Sequence, residues 1–411
     1  DSLYALAAIE SRFRNNADIE YGNTLTEQVF DGKTFDVVVA NPPYGISWKG
    51  YEKEVRKDET GQFEYFPSIS DGQLLFMQHI ASRMNDDGFA VEVHNGSTLF
   101  SGDAGGGESN IRKYLFDKGW VEAIIQMPSD EFFNTGIYTY LWILNKNRPK
   151  NQTNQVLLIN GSNGWQQLKK NRGSKRREML LEHRTDIVNA LLDFKNNNIA
   201  KQFDKWHFYY NKQPLTLINI DGSGKSVLDT IVKEKAYSLK LDKIYWNQEE
   251  VKPSAENLKL LKGLNIKEED LRLVEKDGTE YRFDKDINTI VKTKNKYDEQ
   301  LGCGTFIFKL TRNKKDGSLL FSVAIDAEYI QDYEIIPYNP DPAINKADIQ
   351  AFMDKYITKP YLIKDEPIIG VELNFNKEFF TPEQVEKVED ILAELQELEK
   401  ALKILEGDLE L

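Results

Sequence analysis

The sequence predicts an α/β fold: a mostly parallel, doubly wound sheet, then an appended α+β region, then a carboxyl-terminal helix. Three observations lead there. Short apolar runs alternate with segments of helical period as far as Asn160, the pattern of βαβ units. From Tyr237 to Pro340 the texture changes to short β-like runs. After Thr381 a single amphipathic pattern continues almost to the end.

Residues 2 to 14 place Leu3, Leu6, Ala7 and Ile9 at near-helical spacing, which predicts a helix running into a turn at Asn15-Asn16. Ile19 to Tyr21 is expected as a short strand. Phe35 to Ala40, with Val37, Val38 and Val39 in succession, reads as a central, buried parallel strand. It must stop at Asn41-Pro42-Pro43-Tyr44-Gly45, because proline fixes φ near −65° and offers no N–H to a ladder. Leu74 to Met84 is the following helix, closed by Asp86-Asp87-Gly88. Phe89 to His94 is a strand, Ile111 to Phe116 a helix, and Val121 to Met127 a strand. Ile137 to Leu144 completes a terminal strand pair around Asn134-Thr135-Gly136, and Val156 to Asn160 is one more strand. Farther on, Phe306 to Leu310 and Leu319 to Ile325 flank a turn at Asp316-Gly317 and predict a hairpin. The last helix has a legible start, with Thr381 as N-cap, Pro382 at N1 and Gln384 completing a capping box. Ile391, Leu395, Leu398, Leu402, Leu405 and Leu409 then recur at alternating spacings of 4 and 3, a coiled-coil seam of about three heptads. Such a seam serves either a partner or the chain's own packing. The expected domains are residues 1–235, 236–380 and 381–411.

With 411 residues the chain exceeds what one core usually holds. Hydrophobic content of 40% with 11% aromatics is that of a folded protein rather than a disordered one. There is no apolar run of membrane-spanning length and no basic-then-apolar leader pattern at the start, so no membrane role is expected and the cytoplasm fits best. A single cysteine, Cys303, excludes an internal disulfide, and four scattered histidines argue against a structural zinc site. The net charge of −13 disfavours a stand-alone DNA binder, since Lys and Arg contacts to phosphate supply most non-specific affinity. One basic cluster stands out: Lys169, Lys170, Arg172, Lys175, Arg176 and Arg177. It either faces DNA or is a solvated surface.

The loop after Phe35–Ala40 carries the most chemistry. Open α/β sheets hold ligands at the carboxyl ends of their strands. The Asn41 side-chain oxygen and the Pro42 carbonyl can accept hydrogen bonds from an exocyclic amine, and the Tyr44 ring offers a face for a base to stack on. Asn41-Pro42-Pro43-Tyr44 resembles the catalytic motif of S-adenosylmethionine-dependent amino-group methyltransferases, chiefly the DNA adenine-N6 class. Gly22–Leu25, Asp71–Phe76, Gly102–Ser109 and Phe132–Gly136, in that order, resemble the modification subunit of type I restriction-modification systems. The resemblance covers roughly residues 1 to 185.

That resemblance implies a Rossmann-like methyltransferase sheet lacking its first strands, S-adenosyl-L-methionine as cofactor, and methyl transfer to N6 of an adenine flipped out of double-stranded DNA. Asn41 and Pro42 would hold the amine and Tyr44 would stack on the base, beside the end of the strand leading to Asn23. Phe133 would pack on the base's other side, or is a core residue. Asn23, Pro43 and Phe76 would bind the cofactor's adenine end, with a core role the competitor for Phe76. The glycine-rich cofactor turn lies in sequence expected before Asp1, so the isolated chain is expected to bind S-adenosylmethionine weakly or not at all. Implied partners are the specificity and restriction subunits, the first supplying the DNA sequence read. Two alternatives stand beside this: a protein glutamine-N5 methyltransferase, disfavoured by the long sequence after Leu144, and a non-catalytic assembly module. Lys49 to Ser70 is a candidate mobile flap over the base. Gly222-Ser223-Gly224-Lys225-Ser226 imitates a phosphate-binding loop, but Asn219 stands where its first glycine belongs. Gly102 to Gly107 is expected as a flexible loop, with an anion at the following helix end the lesser alternative.

Overall fold

The fold is described from a computed structural model, which covers all residues except 1, 15, 16, 28, 31, 218–236, 328, 329, 359, 360, 364, 381–387, 410 and 411. It divides into two compact units, Asp1–Glu372 and Leu373–Leu411.

The first unit is built on a six-stranded sheet. Its chain runs through α1 (Ser2–Ser11), β1 (Phe35–Ala40), α2 (Glu52–Arg56), α3 (Gln73–Arg83), β2 (Met84–Asn95), α4 (Ser97–Phe100), α5 (Gly107–Asp117), β3 (Val121–Gln126), β4 (Thr139–Asn145) and β5 (Gln155–Asn160). A separate hairpin follows, β6 (Gln166–Arg172) and β7 (Lys175–Glu178), then α6 (Leu181–Asp193), β8 (Ala200–Asp204) and β9 (Tyr209–Leu217). The sheet order is β1-β2-β4-β3-β5-β8. β1 and β2 pair in parallel, as do β3 and β5, while β4 and β8 run against their neighbours. Four of the six strands therefore point one way, with helices between them, as the apolar runs predict. Val156 to Ile159 are all buried, the mark of a strand covered on both faces.

Two positions differ from the sequence reading. β1 is an edge strand among the described residues, not a central one, and Ile19–Tyr21 forms no ladder. The consequence is visible on β1 itself: Val38 and Ala40 are half-buried toward α3, whereas Val37 and Val39 are 62% and 74% exposed. A strand needs a neighbour to bury its second face. The β3–β4 hairpin forms as expected, yet it is not terminal. β4 inserts between β2 and β3, and its run Tyr140–Leu144 carries the fully buried Trp142 into the sheet's middle.

β9 begins a second sheet. It pairs antiparallel with Ile330–Pro337, Tyr361–Leu362 and Ile368–Val371, so distant stretches of chain meet on one strand. Between them, Leu241–Trp246, Leu271–Glu275, Glu280–Asp284, Thr289–Lys294 and Tyr297–Gly302 make an antiparallel meander. The expected hairpin forms as Gly304–Arg312 against Leu319–Ala327. The meander and hairpin share a core that includes Leu273, Tyr281, Ile290 and Ile325.

The second unit contains the helices Phe375–Phe379 and Val388–Leu409. Thr381, Pro382 and Gln384 lie outside the described residues, as does Gly222–Ser226. The seam residues Ile391, Leu395, Leu398, Leu402 and Leu405 are between 45% and 63% exposed.

Burial on the sheet makes a quantitative prediction. Leu158→Ala should cost about 2–5 kcal/mol of unfolding free energy, because it opens a cavity in a filled core. Val39→Thr, on the open face of β1, should change it by less than about 0.5 kcal/mol. Urea denaturation of the two variants checks the difference.

Candidate active site

The loop Asn41–Gly45 leaves the carboxyl end of β1, as its prolines require. Pro42 is buried, Tyr44 half-buried, Asn41 and Pro43 exposed. The Tyr44 hydroxyl donates to Asn41 Oδ1 at 2.8 Å. Burial raises the Tyr44 phenol above its ordinary pKa, so it remains a donor across the neutral range. A carboxamide oxygen has two lone pairs, and this bond uses one. Asn41 is thus held in one orientation with an acceptor site to spare.

Beside the loop lies a cavity of about 320 Å³, within the range of small-molecule sites. Val38, Ala40, Pro42, Phe76 and Ile80 give it apolar walls, and Thr24, Asn41, His79 and Arg83 give it polar ones. Flat apolar surfaces with a few polar groups suit an aromatic ring such as adenine, which is the fit expected for the adenine end of S-adenosylmethionine. Of the residues singled out from sequence, the structure brings Asn41, Pro42 and Phe76 together here, with Tyr44 bonded to the first. Pro43 and Asn23 are not among the lining residues. Asn23 Oδ1 instead accepts from the Leu25 N–H at 3.1 Å, shaping the turn that delivers Thr24 to the cavity.

His79, Ile80 and Arg83 were missed. Their signal is the helical period: they follow Phe76 on α3 at offsets of 3, 4 and 7, one face of the helix. Arg83 donates to the Phe30 and Lys33 carbonyls, pinning the chain before β1. His79 Nδ1 lies 2.7 Å from Gln62 Oε1. Since Gln62 Nε2 donates to Asp58, that oxygen accepts and His79 Nδ1 carries the proton. Burial, reinforced by the Arg83 charge, lowers the His79 pKa to about 4 against a smaller upward pull from Asp58.

A second missed group lies under α3. Glu92 pairs with Ala40 across the β1–β2 ladder, one residue before Asn41, and is wholly buried. Its carboxylate approaches His94 Nε2 at 3.1 Å, too bent for a hydrogen bond, and burial raises its pKa. His94 Nδ1 faces Gln73 Oε1 at 3.3 Å, and Gln73 Nε2 donates to Asp71 Oδ2 at 2.7 Å. Polar residues inside an apolar strand break the alternating pattern, and that break is the signal available in sequence.

Phe133 is 62% exposed, which removes the core reading for it. It sits in the loop between β3 and β4, where the Ser174 N–H donates to its carbonyl. The expected flap from Lys49 to Ser70 is a packed lobe: Trp48 and Val55 are buried with Leu25 and Leu75, and the Trp48 indole N–H donates to the Ser68 carbonyl. Nor is Gly102–Gly107 open to an anion. A Cβ on Gly107 would lie 1.8 Å from the Phe66 carbonyl oxygen, and Glu108 Oε1 accepts from the Ser68 N–H at 2.8 Å, so chain covers the start of α5.

Residues 5–251 match the model of the N-6 DNA methylase family. The chain belongs to that family. It is 39% identical over 142 residues to the type I restriction enzyme MpnII methylase subunit of Mycoplasma pneumoniae, covering 33% of this chain and 25% of that one. It is 26% identical over 223 residues to the MjaIX methylase subunit of Methanocaldococcus jannaschii, covering 53% and 36%. A solved type I methyltransferase subunit from Streptococcus thermophilus aligns with a TM-score of 0.43 at 26% identity, covering 49% of this chain and 42% of that one. The aligned stretches thus span between a quarter and about a third of the curated relatives' length. Among the described residues, no helix is long and apolar enough to cross a membrane, and no group of three or more metal-ligating side chains converges.

The lowered His79 pKa sets a pH dependence. Between about pH 6.5 and 4 the unfolded histidine binds a proton that the folded one refuses, so stability falls as pH falls through that window. His79→Gln should remove this component. Wild type is expected to lose on the order of 2 kcal/mol more than the variant between neutral pH and the lower end of the window, by denaturant titration.

Proposed function

We propose that this chain is the methyl-transferring portion of a type I modification subunit, acting on the N6 amine of an adenine in double-stranded DNA with S-adenosyl-L-methionine as donor. One observation carries the reading: an asparagine oxygen fixed by Tyr44 at the end of β1, beside a purine-sized cavity walled by Pro42 and Phe76. The bound donor supplies an electrophilic sulfonium methyl group. The remaining tasks fall to the chain. Asn41 Oδ1, through its spare lone pair, and the Pro42 carbonyl accept the two amine N–H groups and leave the nitrogen lone pair free for attack. The proton leaves after transfer, so no strong base is needed. Tyr44 stacks on the extruded base, which offsets part of the few kcal/mol that flipping costs. Thr24, Pro42 and Phe76 border the adenine end of the donor, with Asn23 and Pro43 close to them in sequence. Phe133 is the aromatic on the base's far side. Membership in a DNA methylase family favours this over methylation of a protein amide.

In the protein assembled with a specificity subunit, Asn41→Ala should lower methyl transfer to duplex DNA by about 100-fold while leaving donor affinity nearly unchanged. Loss of donor binding with transfer retained would reverse the assigned roles, and methyl groups on protein glutamine rather than adenine would overturn the substrate.

The Tyr44 ring and hydroxyl can be separated. Tyr44→Phe keeps the stacking face and frees Asn41, a loss of about 1 kcal/mol or roughly fivefold in transfer rate. Tyr44→Ala removes stacking as well, worth about 1 to 3 kcal/mol more. Single-turnover rates of the two variants should rank in that order.

Docking of the specificity subunit is assigned to the exposed seam of the helix Val388–Leu409. Leu395→Asp combined with Leu402→Asp places charges in any apolar contact and should abolish capture of that subunit. Circular dichroism controls for folding, and undiminished capture by a folded double variant would remove the helix from the interface.

A further inference from the structure

We propose that the β6–β7 hairpin is a contact surface for the phosphate backbone of duplex DNA, built to hold that backbone next to Phe133. The proposal rests on the DNA methyltransferase reading and assigns that function a surface. It begins with charge. The chain as a whole has 66 acidic and 53 basic residues, yet Trp165 to Glu178 contains six basic residues and one acidic. Lys169, Lys170 and Arg172 are exposed and have no ion-pair partner among the described residues.

The hairpin's irregular pairing accounts for that exposure. Gln167 opposes Arg177 and Arg172 opposes Lys175, so the four residues 168–171 stand opposite Arg176 alone. Such a bulge breaks the ladder and turns its residues outward. The two inner cations have a different task. Lys175 Nζ pairs with Glu131 at 2.7 Å and lies 5.8 Å from the Phe133 ring centre. Arg177 donates to Ser129 Oγ at 2.7 Å and stacks over Trp165 at 3.8 Å.

These bonds fasten the hairpin to the loop between β3 and β4. At its tip, Gly173 has φ +62°, and a Cβ there would lie 2.7 Å from the Phe133 carbonyl oxygen. The hairpin and the exposed Phe133 ring therefore form one construction: buried or stacked cations as fasteners, unpaired cations as a free edge. A solvated surface would need no such attachment. An exposed aromatic beside unpaired cations is the combination that binds a base and the phosphates flanking it.

The test is fluorescence anisotropy of a labelled duplex titrated with the full chain, from low salt to about 200 mM. The variant is Lys169→Gln/Lys170→Gln/Arg172→Gln, checked for folding by circular dichroism. Losing three phosphate contacts should reduce the slope of log affinity against log salt by about 2 to 3 and weaken low-salt binding at least about tenfold, whatever the sequence. Charge-conserving Lys169→Arg/Lys170→Arg/Arg172→Lys should restore both. An unchanged slope in the glutamine variant overturns the proposal, as does failure of the wild-type chain to bind duplex. Equal competition by polyglutamate would also overturn it, marking a site for an acidic protein surface. Duplex binding that depends on the hairpin, in a parent assembly that transfers no methyl group to adenine, would sink the enzymatic reading and leave the hairpin standing.

Discussion

A buried positive charge ties the first unit together. Arg112, fully buried on α5, donates to the carbonyls of Thr98, Ser101 and Val371 at 3.2, 2.8 and 2.7 Å. Burial lowers its pKa to about 10, which still leaves it charged at neutral pH. A guanidinium in the interior is tolerable only when its donors are satisfied, so the three carbonyls are held where the charge needs them. One lies within α4, one ends α4 and opens the glycine-rich loop, and one belongs to the strand Ile368–Val371 far along the chain. Glu108, one turn before Arg112 on α5, accepts from the Ser68 N–H, and the Ser68 carbonyl accepts from the Trp48 indole. The Gly72 N–H donates to the Ile46 carbonyl and closes that lobe at its base, one residue after Gly45. The candidate loop is thus anchored from both sides: by β1 before it and by the Arg112 chain of contacts after it.

The local parts of this architecture were legible in sequence because they are written locally. Valines in succession and a Pro-Pro stop specify β1 and its loop without reference to anything else. The α3 helix was equally legible, and its period would have added Ile80 and Arg83 to Phe76. Sheet order was not legible. That β4 lies between β2 and β3 depends on Phe89 meeting Asn145, a pairing across a long stretch of chain that no window contains. The edge position of β1 is a property of its neighbours rather than of its residues. The glycines from 102 to 107 read as a flexible loop because glycine permits many conformations, but Gly107 is required by the approach of the Phe66 carbonyl.

The candidate site divides its work between neutral and charged groups. At Asn41 itself the donors and acceptors are uncharged at neutral pH: the Tyr44 hydroxyl, the Asn41 amide, the Pro42 carbonyl and, farther along the cavity, a His79 kept neutral by burial, while the cation lining that cavity, Arg83, donates to the Phe30 and Lys33 carbonyls. Neutral groups can orient a neutral amine without imposing the desolvation penalty that a buried ion would add. The unpaired cations sit elsewhere, on the hairpin beside Phe133, where exposure keeps them fully hydrated until they meet an anion.

That separation reconciles the acidic chain with the polyanionic substrate proposed for it. A net charge of −13 opposes the approach of DNA, but salt screens charges on a length of about 10 Å, so only nearby groups act once contact is made. At the hairpin Glu131 and Asp130 already face Lys175 and Arg176, which leaves Glu178 as the one acid of the hairpin against three exposed cations. The local field is then set by Lys169, Lys170 and Arg172. Under the proposal, net charge governs how fast the chain meets a duplex unaided, and the hairpin governs whether the contact holds. The first is a deficit that a basic partner can correct from outside; the second, on the proposed reading, has to be built into the chain beside the exposed ring of Phe133.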